Sequence, residues 1–336
     1  MDDSTTDRAY DVVVVGGGAA GLGAALTLGR ARRSVLVVDD GAPRNAPAGH
    51  VHNYLGREGT SPAELLAIGR AEVAGYGGEV VTGRVVTARP LGEPGGTAGV
   101  GFGVGLADGR TFRARRLVVT TGLVDELPDV PGVAQRWGRD VLHCPYCHGW
   151  EVRDQALGVL ASGPFAVHQA LLFRQWSADL TLFLHTTPPP GEEEAEQLAA
   201  RGITVVPGEV AALEVSEDRL TGVRLRSGQV VPRQAVVVGP RFTANAGVLA
   251  GLGLTPTEMQ VGGASMGSYV AGDATGATAV PGVWVAGNVA DLRVQVIGAA
   301  TAGLNAAAAV NADLIAEETR LAVATARGRR APSLTS

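Results

Sequence analysis

The chain has 336 residues, 46% of them hydrophobic, enough length and apolar content for about two packed domains. Its formal charge is −5, and all 28 of its basic residues are arginine, which leaves no basic patch for nucleic acid and excludes Schiff-base chemistry on lysine. No apolar run reaches the roughly 18 uncharged residues of a membrane span, and the acidic start MDDSTTDRAYD does not read as a secretory signal, so the expected compartment is the cytoplasm.

DVVVV at 11–15 reads as a buried parallel strand, short, β-branched and followed by glycines. GGGAAGLGAALTLGRA, 16–31, places alanine and leucine at helical spacing, and SVLVVDD, 34–40, is a second buried strand. Together they make a βαβ unit. The turn GGGAAG has Gly16, Gly18 and Gly21 at the spacing G-x-G-x-x-G, with Asp39 at the end of the next strand. That context is the dinucleotide fingerprint: Gly16 permits the tight turn, Gly18 lets backbone N–H groups approach a pyrophosphate, Gly21 allows close helix–strand packing, and Asp39 accepts from a ribose hydroxyl. Ala19 and Ala20 complete that turn and Asp40 adjoins Asp39, so all three are grouped with the cofactor site. The stretch 44–60, RNAPAGHVHNYLGREGT, is rich in His, Asn and Gly; His50, His52 and Asn53 are candidates to touch cofactor or substrate, or to hold a hydrogen-bonded loop.

Residues 88–105 read as a Gly/Pro-rich loop inside a β meander, and RRLVVTTG, 115–122, as a strand ending in a small-residue turn at Thr121 and Gly122. LPDVPG, 127–132, reads as a linker. A second βα unit follows: strand ALGVL (156–160), a turn and helix from 161 to 176, and strand LTLFLH (180–185). A further helix starts within 188–198, a short meander spans ITVVPGEVAALEV and LTGVRLRSGQVV, and AVVVGP closes the module. VPGVWVAGNVAD, 280–291, is a strand ending in glycine; a long Ala-rich helix is expected from about 295 to 324, and the tail 326–336 reads as disordered.

The fold class is thus α/β, with two Rossmann-like modules, the second inserted into the first: residues 1–126 and 246–325 around an insertion at 127–245. The second glycine turn, ASGPFA, is altered. Ala161 replaces its first glycine, where a positive φ would be strained, and Pro164 removes an N–H that could face phosphate. No arginine lies between Arg174 and Arg201 to hold a 2′-phosphate, and the nearest acid for a free ribose is Glu192, beyond three prolines. The module reads as a scaffold whose nicotinamide site has eroded; the alternative is an atypical nicotinamide site.

HCPYCHG, 143–149, holds both cysteines of the chain. A four-ligand zinc site usually needs two ligand pairs with a spacer, and the other histidines (50, 52, 168 and 185) supply no second pair, so no metal is expected. A redox dithiol fits better, since CxxC closes a small reversible disulfide and depresses one thiol's pKa. His148, directly after Cys147, is the candidate to move protons in thiol exchange, ahead of His143. A flavin at the first fingerprint would accept electrons from such a dithiol.

The combination of GGGAAG with Asp39, VVTTG at 118–122, CPYCHG at 144–149 and VWVAGN at 283–288 with Gln295 and Val296 resembles the low-molecular-weight thioredoxin reductase family of flavoproteins, in the family's order along nearly the whole chain. The resemblance implies FAD, a homodimer, Cys144 as the interchange thiol and Cys147 facing the flavin. It also implies Gly287 and Asn288 beside the ribitol and pyrophosphate, and Gln295 and Val296 at the isoalloxazine edge. Three features depart from that family: His148 where an acid is usual, Asn288 where Asp is usual, and the missing arginine motif. This set is similar to the FAD-dependent dithiol oxidases that close disulfides in microbial natural products such as gliotoxin and holomycin. It implies a small dithiol substrate, or a small thiol protein, with O2 as acceptor, and it argues against NADPH. An NAD(P)H-dependent thioredoxin-disulfide reductase and a non-turnover redox sensor are the alternatives.

Overall fold

The computed structural model describes residues 8–92 and 101–330. The chain opens with β1 (Ala9–Val15), α1 (Ala19–Arg30) and β2 (Val35–Asp39), a parallel βαβ unit in which Val12 pairs with Val35 and Val15 with Val38. Both strands are almost wholly buried, which suits runs of valine covered on two faces. α2 (Pro62–Gly75) starts on Ser61, whose hydroxyl accepts from the Glu64 N–H, with Pro62 at the first helical position. β3 (Glu79–Thr82), β4 (Val85–Leu91), β5 (Gly101–Leu106) and β6 (Thr111–Val119) complete the first sheet in the order β3-β2-β1-β6-β5-β4.

β7 (Leu123–Glu126) leads out of this unit. The second unit contains α3 (Val133–Arg136), β8 (Val141–Leu142), the single turn α4 (Pro145–His148), β9 (Leu157–Leu160), α5 (Ala166–Phe173), β10 (Leu180–Phe183), α6 (Glu192–Ala200) and β11 (Thr204–Val206). It continues with β12 (Val210–Ser216), β13 (Arg219–Leu225), β14 (Val230–Pro232) and β15 (Ala235–Val238). Its parallel sheet runs β11-β10-β9-β15-β8, with β12-β13-β14 as a separate meander. β16 (Arg241–Ala244) returns antiparallel beside β7, pairing Arg241 with Glu126 and Ala244 with Leu123, so the two crossovers between the units lie side by side. β17 (Thr257–Val261) and β18 (Ala264–Tyr269) extend that small sheet. β19 (Val283–Val285) then rejoins the first sheet beside the last residues of β6, and α7 (Val296–Arg330) closes the fold. This is the expected α/β arrangement of two Rossmann-like modules, one inserted into the other.

Three local readings change. Residues 88–91 and 101–105 are paired strand rather than loop, with Ala88 opposite Val104; residues 93–100 lie outside the described residues. Phe102, Val104 and Leu106 alternate inward between glycines, and their burial supplies the driving force. Thr204–Val206 does not open the meander but pairs in parallel with β10. α7 runs on through 326–330, where the sequence reads as a tail, because Ala and Arg are strong helix formers that outweigh one glycine; residues 331–336 lie outside the described residues. Along its first half, α7 buries Ala306, Ala307, Val310 and Leu314 in the same core as Ala24, Ala25 and Leu28 of α1.

Candidate functional site

A cavity of about 1630 Å³ runs from the glycine turn after β1 to the CxxC turn of the second unit. Gly16 sits at φ +104°, and a Cβ there would meet the Thr120 carbonyl at 2.6 Å, so only glycine fits. Gly21 does not line the cavity; a Cβ on it would stand 1.9 Å from the Gly16 oxygen, which is the close helix–strand contact expected of it. Gly18 caps α1 in an extended conformation without a side-chain cap, and a Cβ on it would meet nothing within 4 Å. The open first turn of a 12-residue helix therefore faces the cavity with its N–H groups available to an anion.

Ala19 and Ala20 line the same end. Asp39 lines the cavity, accepts the Gly17 N–H at 3.0 Å through Oδ1, and its Oδ2 lies 3.9 Å from Arg70. Asp40 caps its own turn at Ala42 and stands 3.6 Å from Arg84. Thr121 donates to the Asn245 carbonyl at 2.6 Å, and Gly122 follows at φ +70°. Gly287, Asn288, Gln295 and Val296 also line the cavity. Volume, open helix terminus and terminal carboxylate together fit a dinucleotide such as FAD.

α4 is one turn, with Cys144 at its cap in extended conformation and the N–H groups of Cys147 and His148 donating to the Cys144 carbonyl. That winding brings the two free sulfurs to 2.6 Å. The Cys147 S–H donates to Cys144, which, with the nearby Cys147 and Tyr146 amides and the Arg44 charge, holds Cys144 at about 7 against the opposing effect of burial. Cys147 is pushed up, as the donor of that bond and by burial. The pair therefore carries its first negative charge on Cys144. Gln295 Nε2 lies 3.9 Å from that same sulfur.

The two histidines separate clearly. His143 is held: its Nδ1 is 3.2 Å from the Val238 carbonyl, Gln169 donates to its backbone oxygen, and its ring packs edge-on to Phe242. Both ring nitrogens of His148 are buried without a hydrogen-bond partner among the described residues. Burial lowers the His148 pKa, so at neutral pH it is an uncharged imidazole able to accept a proton. His50 and His52 line the cavity, and His52 bridges Glu58 at 2.6 Å and Glu151 at 3.4 Å. Asn53, grouped with the cofactor site from sequence, is not among the lining residues; its amide donates to the Tyr146 carbonyl at 2.7 Å, joining the first unit to the thiol turn. Arg44 was not singled out from sequence, yet it lines the cavity; nothing local marks it, since its partners Asp125 and Asn288 are far along the chain.

At the second glycine turn, Ala161 is buried and avoids the left-handed region, so the anticipated strain is absent. Ser162 donates to the Gly239 carbonyl at 2.8 Å. Arg174 is committed to the carbonyls of Arg201 and Ser177. His185, at φ +53° past β10, accepts the Val210 N–H. Of the arginines lining the cavity, Arg44, Arg84 and Arg241 each face a carboxylate; among the described residues Arg293 has no such partner. No three His, Cys, Asp or Glu side chains group for a metal among the described residues.

An α/β chain with two nucleotide-type modules meeting at a thiol pair defines a dithiol–disulfide oxidoreductase. The family model described as pyridine nucleotide-disulphide oxidoreductase matches residues 10–303, and the chain belongs to that family, whose members are flavoproteins. The chain is 32% identical over 330 residues to the thioredoxin reductase sirT of Leptosphaeria maculans, covering 92% of this chain and 95% of that one. It is 33% identical to a probable thioredoxin reductase of Arthroderma benhamiae, over 54% of this chain and only 45% of that one. For the thioredoxin reductase tcpT of Claviceps purpurea the identity is 34%, over about half of each chain. Among solved structures, HlmI superposes with a TM-score of 0.87 at 46% identity, over 98% of this chain and 99% of that one. An oxidoreductase from Agrobacterium tumefaciens gives 0.82 at 33% identity, over 92% and 99%. The protein is thus a thioredoxin reductase-like oxidoreductase. No helix among the described residues is long and apolar enough to cross a membrane.

Proposed function

We propose that the protein is an FAD-dependent dithiol oxidase that closes a disulfide in a small dithiol, with dioxygen as acceptor. The observation that carries this is the contrast between two nucleotide turns on one cavity. The first presents an open helix terminus and Asp39. The second has its nearby polar groups tied to backbone carbonyls. The N–H groups after Gly18 would hold the pyrophosphate and Asp39 the ribose, with Asp40, Thr121 and Gly122 alongside; Gly287 and Asn288 would face the ribitol, and Gln295 and Val296 the ring edge.

The thiol chemistry follows from the pair and His148. A substrate thiolate attacks the Cys144 sulfur of the Cys144–Cys147 disulfide, forming a mixed disulfide and releasing Cys147 as thiolate. The second substrate thiolate attacks the substrate-side sulfur, closing the substrate disulfide and releasing Cys144 as thiolate. His148, its pKa lowered by burial and its ring nitrogens without a hydrogen-bond partner among the described residues, takes the protons of the substrate thiols. Two electrons and two protons leave the substrate per disulfide. FAD bound along the first turn supplies the two-electron sink that restores the protein disulfide, with dioxygen reduced to hydrogen peroxide.

The same proposal takes residues 1–126 and 246–325 as the FAD unit and 127–245 as the thiol-bearing unit, in a cytoplasmic homodimer. Incubation of the FAD-loaded protein with a small dithiol and no nicotinamide tests it: stoichiometric peroxide and substrate disulfide support it, and no oxygen uptake with any dithiol defeats it. Two observations favour the second reading, an NAD(P)H-dependent disulfide reductase: Arg293 is a cavity arginine without a carboxylate partner among the described residues, and the named relatives above are thioredoxin reductases.

A further inference from the structure

Arg44 and Asn288 lie outside the thiol motif, but a string of contacts runs from them to Cys144. The Arg44 guanidinium forks onto Asp125, with Nε 2.8 Å from Oδ2 and Nη2 2.6 Å from Oδ1. Its Nη1 donates to Asn288 Oδ1 at 3.2 Å. Its guanidinium carbon stands 5.3 Å from the centre of the Phe242 ring. Asp125 belongs to β7 and Phe242 to β16, so Arg44 grips both crossover strands and orients Asn288 from the other side.

Asn288 has its carbonyl oxygen taken by Arg44, which fixes its amide the other way round. Nδ2 donates to the carbonyls of Asp291 and Val294, both at 3.0 Å. Those two bonds pin the loop that ends at Gln295, whose Nε2 lies 3.9 Å from the Cys144 sulfur. A carboxylate at 288 has no N–H to give to either carbonyl, and an apolar residue would leave both without this partner. A donor held against sulfur favours its charged form.

We propose that Arg44 and Asn288 are positioning residues for the thiol step, holding the Gln295 amide against Cys144 so that this sulfur leaves readily as a thiolate when the second substrate thiolate displaces it. The inference rests on Cys144 being the redox thiol. Alkylation of a reduced pair needs no dithiol turnover, so its outcome is read separately from that of the oxidase proposal.

The experiment is the pH dependence of iodoacetamide alkylation at Cys144, followed by peptide mass spectrometry. The FAD-loaded protein is kept reduced by a phosphine without air. Wild type is expected to show its midpoint at about 7. Asn288→Ala is expected to raise it by about one unit, so that alkylation at pH 7 slows roughly tenfold. Asn288→Asp, nearly isosteric, loses the same two donors and is expected to raise it at least as far. Gln295→Met alone raises the midpoint, and Asn288→Ala adds nothing further in that background. Arg44→Met shifts it in both backgrounds, because it also removes a charge. Circular dichroism and a cooperative thermal melt establish that each variant is folded. A folded Asn288→Ala or Asn288→Asp with its midpoint still near 7 overturns the inference. So does a shift from Asn288→Ala that is undiminished in the Gln295→Met background.

Discussion

Helix α7 crosses α1 where a glycine faces a backbone carbonyl, and one added methyl group should be felt at the cofactor turn. A Cβ on Gly303 would stand 1.9 Å from the Ala20 oxygen and 2.8 Å from its carbonyl carbon. Carbon–oxygen contacts of this kind settle near 3.3 Å, so α7 must retreat by about 1.4 Å or α1 must bend. Ala20 lines the cavity two residues past Gly18, so the displacement reaches the turn proposed to hold the pyrophosphate. Overpacking of a close interface costs about 1–3 kcal/mol and occasionally more. With backbone as the obstacle, about 3 kcal/mol is expected for Gly303→Ala, equivalent to a melting-point loss of roughly 6 °C in a chain of this size. Gly328 is the control in the same helix. A Cβ there meets nothing within 4 Å, so Gly328→Ala should be neutral or stabilise by at most about 1 kcal/mol through helix propensity. Differential scanning fluorimetry gives the melting points and the 450 nm absorbance gives bound FAD. A Gly303→Ala protein that melts with wild type and keeps its full FAD would refute the packing of α7 on α1 described above.

The thiol site yields three further expectations. Cys144→Ser and Cys147→Ser should each abolish dithiol turnover while FAD remains bound at wild-type stoichiometry, read from the visible spectrum of the purified protein. Cys147→Ala removes the S–H that donates to Cys144, so the Cys144 alkylation midpoint should climb from about 7 toward the ordinary thiol range; an unchanged midpoint would mean that Cys147 is not the donor. His148 has its pKa lowered by burial, so the unfolded chain binds more protons than the folded one below about pH 6.5, and stability should fall as pH drops through that range. The pH–rate profile should lose its acid limb, and the melting-point loss between pH 7 and 5 should shrink, in His148→Ala; a variant with wild-type rate and profile removes His148 from the mechanism.

The glycine turn was legible because its parts are contiguous: strand, G-x-G-x-x-G, helix and terminal aspartate lie within about 30 residues. The thiol pair was legible for the same reason; of its two flanking histidines the structure ties His143 to Val238 and Gln169, while the ring nitrogens of His148 have no hydrogen-bond partner among the described residues. What the sequence concealed depends on distance. Arg44 meets Asp125 and Asn288 81 and 244 residues away, and an arginine in a Pro/Ala-rich loop carries no local signal of either. Asn53 was drawn to the cofactor by its neighbours, but its partner is the carbonyl of Tyr146, 93 residues on. The glycines between Phe102, Val104 and Leu106 masked a period of two that burial makes plain. The Arg-rich end of α7 reads as a tail from its terminal position, yet its Ala and Arg residues carry the helix on through 326–330.

The central claim is that electrons enter this flavoprotein from a dithiol and not from a nicotinamide. Anaerobic stopped-flow of the FAD-loaded protein at 450 nm tests it with two reductants at micromolar concentration. A small dithiol should bleach the flavin, with absorbance returning on admission of oxygen, while NADPH and NADH leave it unchanged over the same seconds. Rapid bleaching by NADPH, or none by any dithiol, would contradict the claim.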